Sequence, residues 1–196
     1  MDKLKKILKA MTLKGYAIFE SDKKPFNLNI VGIREDNPTT NKFNDTISVF
    51  WKYEGRWNFF DFQATTLAGL KYLENPMNPK GCAILVPNQY RGVWELGLHN
   101  GKYQALVQRK GEVEVYRDEN EDSRYDMISS NTESGYFGIN IHKASTGERE
   151  TVDGYSAGCQ VIQNSDEYDI FIEICKKGEK YWGNSFSYTL LNENII

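Results

Sequence analysis

The chain has 196 residues, with 24 Lys or Arg and 27 Asp or Glu, which gives a net charge of -3 at pH 7. This charge argues against binding nucleic acid through a broad basic surface and against a polybasic membrane anchor. Apolar residues make up 40% and aromatic residues 13% of the chain, which excludes wholesale disorder, and three cysteines do not make a disulfide scaffold.

Residues 1–14 predict a short amphipathic helix that ends at Gly15. Its apolar residues recur at helical spacing, with lysines on the other face, and they are Leu4, Ile7, Leu8 and Met11. We expect this helix to pack on the body of the domain; a place at a membrane surface is the alternative. The N-terminal lysines are not followed by the apolar run and small-residue cleavage site of a secretory signal. The sequence therefore predicts a protein that is cytoplasmic as synthesised, unless another route exports it.

The centre of the chain is patterned as short strands. Two aromatic and β-branched runs, 46–53 and 56–63, flank Glu54-Gly55, which predicts a hairpin because Gly supplies the positive φ of a tight turn. Residues 24–29 and 75–80 are predicted loops. The regular spacing of the strands is typical of a β-sandwich or barrel. The further predicted strands cover 83–86, 93–98, 103–107, 112–116 and 136–141.

A second helix is predicted over 166–177. Asn164 is its candidate N-cap, and Gly178 is placed to end it. A last strand is predicted over 186–191. The chain has no linker rich in Ser, Pro or Gly, so the sequence predicts one mostly-β domain over residues 1–196.

The residues most suited to catalysis lie between 135 and 163. His142 ends a β-patterned segment, and a polar loop leads from it to Ser156-Ala157-Gly158-Cys159. A thiol becomes a nucleophile when a neighbouring base removes its proton. Gly158 would let a substrate backbone approach, and the N–H of Cys159 could face a developing oxyanion. The alternatives are a small buried cysteine and a structural histidine.

This run resembles the catalytic domain of the L,D-transpeptidases, the YkuD-like family. The family motif is a His followed, after a gap, by Ser/Thr-x-Gly-Cys. The gap here is residues 143–155, slightly shorter than in the family. Ala157 replaces the frequent His at the x position, and Val161 stands where Arg or Asn is frequent. The resemblance covers 136–163 and implies a mostly-β domain of L,D-transpeptidase type with a helix after the Cys.

The resemblance also implies a mechanism. Cys159 would attack a peptide carbonyl that joins an L-centre to a D-amino acid in a peptidoglycan stem. His142 would act as general base and stabilise the thiolate as an ion pair, and N–H groups around Gly158 and Cys159 would hold the oxyanion. The acyl-enzyme would then react with an amine or with water. Ser156 would tune the Cys loop through a hydrogen bond; a turn-stabilising hydroxyl is the alternative.

Peptidoglycan chemistry takes place outside the cytoplasm, and this chain shows no secretory signal. An enzyme of this kind would reach the wall after lysis or through another export machine, as a phage-encoded relative or a toxin-like effector would. The rival hypothesis is a non-catalytic module of the same fold that binds the cell wall or serves as a phage structural or interaction protein. Its binding face would use the aromatic residues of the first 65 positions. The sequence leaves the oligomeric state open.

Four further residues are candidates for binding substrate. His99 lies at a strand-to-turn junction and would stand near His142, with a structural turn histidine as the alternative. Tyr90, Arg91 and Arg117 are candidates for binding substrate carboxylates, because Arg matches carboxylate geometry; a solvated surface position is the alternative for each.

Metal and cofactor motifs are weak or missing in the sequence. Residues 118–122 alternate like a calcium loop, but Ser123 and Ser129 occupy the positions that need Gly and Glu. The sequence shows no zinc spacing, phosphate-binding loop or dinucleotide motif. It therefore predicts no metal and no cofactor. Cys82 and Cys175 are predicted core residues.

Overall fold

The structure is a computed structural model that describes residues 2–196. The helices are α1 (Asp2–Leu13), α2 (Leu70–Glu74) and α3 (Ser165–Trp182). The strands are β1 (Asn29–Arg34), β2 (Asp45–Tyr53), β3 (Arg56–Thr65), β4 (Cys82–Leu85), β5 (Gln89–His99), β6 (Tyr103–Gln108), β7 (Val113–Asp118), β8 (Thr132–Gly135), β9 (Ile141–Lys143), β10 (Gln160–Ile162) and β11 (Phe186–Asn192).

Eight of these strands close into a barrel in the order β1-β11-β5-β6-β9-β10-β3-β2, and β4-β7-β8 form a separate three-stranded sheet. The β1–β11 and β9–β10 pairs are parallel. The predicted mostly-β class, with an N-terminal helix and a helix after the Cys motif, is confirmed.

The main core joins the inner face of the barrel to α3 and to the small sheet. Along β2, Ile47, Val49 and Trp51 alternate inward and belong to this core. Phe171 of α3 packs edge-on against Phe62 of β3. The core therefore draws on residues from most of the chain.

Helix α1 covers the outer face of the barrel, as the sequence predicts. Its buried residues Leu4, Ile7, Ala10 and Met11 form a second cluster with Val31, Ile33, Phe50 and Leu191 of the strands below. Gly15 follows the helix with φ +69°, the left-handed conformation that ends many helices. The helix was predicted from residue 1, which lies outside the described residues. No helix within residues 2–196 has the length and apolar character needed to cross a membrane.

Helix α3 begins as predicted and ends later than predicted. The side chain of Asn164 accepts hydrogen bonds from the N–H groups of Asp166 and Glu167, which satisfies two free donors of the first turn. The prediction that Gly178 ends the helix is wrong. A Cβ at Gly178 would lie 2.9 Å from Leu28 Cδ1, so this glycine is required by close packing in the helix interior, and the helix ends at Gly183.

Sequence patterning missed β1, α2, β8 and the 3-10 helix Glu193–Ile195, and it misplaced one strand. β1 is buried at all six positions, so it lacks the alternation that identifies a half-exposed strand. The short helix α2 and the polar strand β8 were also not predicted. The predicted strand 136–141 is wrong except at Ile141, where β9 begins, because the chain before Ile141 is held by side-chain contacts. Gln108 accepts hydrogen bonds there from the N–H groups of Phe137 and Ile139.

Candidate active site

His142 and Cys159 lie on the same outer face of the barrel. In the parallel β9–β10 pair, His142 is opposite Val161, while Ile141 is opposite Gln160. Ile141 and Gln160 are fully buried and face the interior, so the alternating residues His142 and Val161 face outward. Cys159 packs beside Val161 in an outer cluster. One strand across and two residues along places the Cα atoms of Cys159 and His142 about 8 Å apart.

The backbone fixes which nitrogen of His142 is basic. Nδ1 lies 2.8 Å from the carbonyl oxygen of Lys143, which can only accept, so Nδ1 carries the proton and Nε2 is the free base. Nε2 has no hydrogen-bond partner among residues 2–196, although every fully buried side-chain nitrogen or oxygen in that range has one. Nε2 therefore reaches the accessible surface even though the residue is only 4% exposed.

The thiol of Cys159 is half-buried and is held by two backbone groups. It donates to the carbonyl of Gly138 at 3.4 Å and accepts from the N–H of Asn140 at 3.5 Å. Cys82 and Cys175 are buried, as predicted. Faster labelling of Cys159 than of these two would therefore follow from exposure alone and would not by itself demonstrate activation.

Both groups of the pair are uncharged in the resting protein. Burial raises the pKa of the Cys159 thiol to about 11, with the Asn140 N–H acting in the opposite direction. Burial, and after it the neighbouring His99, lower the pKa of His142 to about 3. The thiolate–imidazolium pair that the resemblance implies is therefore not the resting state.

His99 stands beside His142, which the sequence offered as one of two possibilities, the other being a structural turn histidine. The two rings stack with their centroids 4.0 Å apart. Asn140 donates from Nδ2 to Nδ1 of His99 at 3.1 Å, and its Oδ1 is fixed by the N–H of Gln108. Burial, and after it Lys102, lower the pKa of His99. Two uncharged imidazoles can therefore stack without mutual repulsion.

Tyr103 and Asn140 are site residues that the sequence analysis missed. The Tyr103 hydroxyl lies 3.3 Å from His142 Nδ1 and donates to the Lys143 carbonyl at 3.3 Å. Burial, followed by the proximity of Cys159, raises its pKa to about 12, so it stays protonated at neutral pH. The signal for Tyr103 was present, because the Asn100-Gly101 turn pairs His99 with Tyr103 across the hairpin.

Ser156 ties the Cys loop together. Its Oγ donates to the carbonyl of Cys159 at 2.8 Å and accepts from the N–H of Gly158 at 3.2 Å. The N–H of Gly158 is thus occupied, so it is not free for an oxyanion as the resemblance implied. The N–H of Cys159 has no acceptor within residues 2–196 and is the donor that the loop leaves available.

A cavity of about 340 Å³ lies beside this loop and is lined by Ala157 and Arg117, among others. Arg117 is buried, and its Nε donates to Glu133 Oε2 at 2.8 Å. Of the three residues predicted to bind carboxylates, Arg117 alone borders a cavity next to the Cys motif in the part of the chain that the structure describes.

Tyr90 and Arg91 need correction as substrate-binding residues. They lie at the start of β5, whereas His99 ends it, and at the rise of a β-strand this separation is about 30 Å. The Tyr90 hydroxyl donates into the core, to the carbonyls of Val86 and Glu114. Burial raises its pKa, so it is not an ionised ligand either. Tyr90 is therefore held by core contacts, and Arg91 lies over the Phe19 ring.

The acidic turn at 118–122 is held by its own hydrogen bonds. Asn120 donates to Asp122 and Asp126, and Asp118 accepts from the N–H of Asp126 at 3.0 Å. Among residues 2–196 there is no group of three or more His, Cys, Asp or Glu side chains that could hold a metal ion.

The neutral resting pair predicts a distinctive pH profile for alkylation of Cys159 by iodoacetamide. Only the thiolate reacts, so the rate should rise about tenfold per pH unit from pH 7 to 10 and level off only beyond the raised pKa. The rate can be followed by mass spectrometry of the peptide that contains Cys159. Free glutathione, measured in parallel, should level off earlier. A plateau for Cys159 below pH 8 would contradict this prediction and indicate a resting ion pair.

Comparisons with protein-family models, with curated proteins and with solved structures return no match to this chain.

Proposed function

We propose that the chain is a cysteine-dependent acyl transferase or peptidase that acts on peptidoglycan stem peptides. The observation that carries the proposal is the register that puts His142 and Cys159 on the same face of the β9–β10 pair, with Nδ1 of His142 anchored on the Lys143 carbonyl and Nε2 left without a partner among residues 2–196. A base with a fixed tautomer next to a half-buried thiol is the constellation that nucleophilic catalysis needs. The peptidoglycan substrate follows from the resemblance to L,D-transpeptidases.

In the first half of the reaction, Sγ of Cys159 forms a bond to the substrate carbonyl carbon while its proton passes to Nε2 of His142. The oxyanion develops towards the free N–H of Cys159. When the C–N bond breaks, the imidazolium returns the proton to the leaving amine, and a thioester on Cys159 remains.

In the second half, an amine or a water molecule attacks the thioester. His142 accepts a proton from this nucleophile at Nε2, the C–S bond breaks as the carbonyl re-forms, and the imidazolium returns the proton to the departing sulfur, which restores the thiol and the neutral imidazole. An amine acceptor gives a cross-link, and water gives hydrolysis. Tyr103 and the Lys143 carbonyl keep Nδ1 oriented throughout, because neither group needs to move for the proton to pass through Nε2.

The test is incubation with purified muropeptides followed by mass spectrometry of both the peptides and the protein. Wild type and Cys175→Ala should give product masses or an acyl adduct on Cys159. Cys159→Ser should give neither, and its folding can be checked by its thermal unfolding. Unchanged masses in all three samples would refute the catalytic proposal. Binding of muropeptides without turnover would favour the non-catalytic module instead.

A further inference from the structure

Helix α3 presents a continuous stripe of exposed residues on the side opposite its buried face. These residues recur at spacings of three and four, which places them along one face of the helix. The members of this α3 stripe are Asp166, Asp169, Ile170, Glu173, Lys177, Lys180 and Tyr181. None of them takes part in the proposed reaction, so the proposed function does not account for this face.

The charges of the α3 stripe are divided by sign along the helix. Its acidic residues lie in the N-terminal half, and Lys177 and Lys180 lie in the C-terminal half. Neither lysine has a carboxylate within salt-bridge distance among residues 2–196. The side chain of Asp169 is 71% exposed and lies 4.0 Å from Lys143, and Glu173 is paired through Oε1 only. Charge is therefore available at both ends of the stripe.

An apolar groove runs along one edge of the α3 stripe. It has a volume of about 510 Å³ and lies between α3 and the β2–β3 hairpin. Ile170 and Phe60 line it and expose 48% and 40% of their surface. Tyr181, which is 38% exposed, stacks on Phe26 in the wall of the groove with the ring centroids 6.2 Å apart. Contiguous exposed apolar surface of this kind marks an interaction site.

We propose that two copies of the chain associate through this face, with their α3 helices antiparallel across a two-fold axis. This symmetry places the acidic half of each helix against the basic half of the other. With the axis level with residue 175, Glu173 of each copy lies opposite Lys177 of the other. In the same register Asp169 faces Lys180 within one residue. The arrangement gives four intermolecular ion pairs, and the helix is thus complementary in charge to itself.

The same register joins the two apolar edges. At 3.6 residues per turn, Ile170 and Tyr181 lie on the edge of the stripe that borders the groove, and Asp169 and Lys180 lie on the other edge. A two-fold axis perpendicular to antiparallel helices brings like edges together. Ile170 of each copy therefore meets Tyr181 of the other, and the contact covers apolar surface that is open to solvent in a single chain.

The size of the face sets the strength of the dimer. Helix α3 has 18 residues and is about 27 Å long. One helix pair and the adjoining groove edges amount to an interface near the lower limit for specific contacts, about 1,200 Å² in total. Dissociation is therefore expected in the micromolar range. Because exposed ion pairs are screened by salt, the dimer should weaken as the NaCl concentration rises.

The test is analytical ultracentrifugation of the full chain over a range of micromolar concentrations. Lys177→Glu with Lys180→Glu makes the stripe wholly acidic, and Asp169→Lys with Glu173→Lys makes its charged positions almost wholly basic. Each double variant alone should associate at least tenfold more weakly than wild type, because like charges then face each other. An equimolar mixture of the two should recover the dimer, because all four facing pairs again have opposite sign. Thermal unfolding checks that each variant is folded.

Ile170→Gln tests the apolar edge and should weaken the dimer at least tenfold. Ile128→Gln is the matched control, since Ile128 is 53% exposed in the loop between β7 and β8, and it should leave the dimer unchanged. A wild-type chain that stays monomeric at every concentration would overturn the proposal and leave the face to a different partner. A dimer that resists both charge reversal and high salt, or a mixture of folded variants that does not associate, would overturn it as well.

Discussion

Replacing His142→Asn should slow acylation of Cys159 at pH 7 by about 10²–10⁴-fold, the contribution of a positioned general base. Asn retains an N–H that can donate to the Lys143 carbonyl, the contact that His142 makes through Nδ1 at 2.8 Å. It has no counterpart of Nε2. The substitution therefore removes the base while keeping the hydrogen bond that anchors the side chain.

The pH dependence of this loss provides a second readout. The wild-type imidazole is uncharged at all pH values above its lowered pKa of about 3, so the base is present throughout the neutral range. As the pH approaches the thiol pKa of about 11, hydroxide produces the thiolate without help from His142. The gap between wild type and His142→Asn should therefore narrow with rising pH. A constant gap would point to a structural role for His142.

His99→Asn is the matched control, because it makes the same substitution at the other histidine of the stacked pair. Its ring lies 4.0 Å from that of His142 and is one cause of the lowered pKa there. Burial is the larger cause and remains, so removing His99 should raise the pKa of His142 part of the way towards its ordinary value. A raised pKa means that the base form is lost as the pH falls through that value. His99→Asn should thus lose activity on the acid side and keep it at pH 8, whereas His142→Asn should lose activity at both.

The candidate pair was visible in the sequence because its chemistry is local. His142 ends a β-patterned run, and Gly158 and Cys159 are adjacent, so residue type and spacing suffice to single them out. The register of the parallel β9–β10 pair could not be read in the same way. Each of these strands has only three residues, which is too short a pattern to show which of its side chains face outward. In the structure, the Tyr188 hydroxyl of β11 donates to the buried Gln160 of β10 at 2.9 Å, a contact between residues 28 positions apart that strand patterning does not reveal.

Charge state was the part of the site that the sequence could not supply. A motif shows that a thiol and an imidazole are present, but desolvation decides whether they exchange a proton at rest. The same limit explains why Arg91 and Arg117 looked alike as sequence. In the structure, Arg91 lies over the Phe19 ring near the start of β5, and Arg117 lies in the wall of a cavity. Only the order of the strands in the fold distinguishes the two positions.

The second large effect is expected for Gly158→Ala, which should lower the free energy of unfolding by at least about 3 kcal/mol. Gly158 has φ +119°, and a Cβ there would lie 2.3 Å from the carbonyl oxygen of Ala83. That oxygen belongs to the backbone of β4, which is paired with β7. It cannot turn aside as a flexible side chain would, so either the sheet or the Cys loop must shift.

Gly15→Ala is the control that measures the cost of a positive φ without a steric clash. Gly15 has φ +69° and nothing within 4 Å of its Cβ position, so Ala there should cost only about 1 kcal/mol. Urea unfolding followed by tryptophan fluorescence, to which the buried Trp94 contributes, measures the stability of both variants. Because the Ser156 hydrogen bonds set the loop on which Cys159 sits, Gly158→Ala should also lose acylation under conditions where it remains folded. Equal destabilisation by the two substitutions would show that the contact between the Cys loop and β4 does not constrain the site.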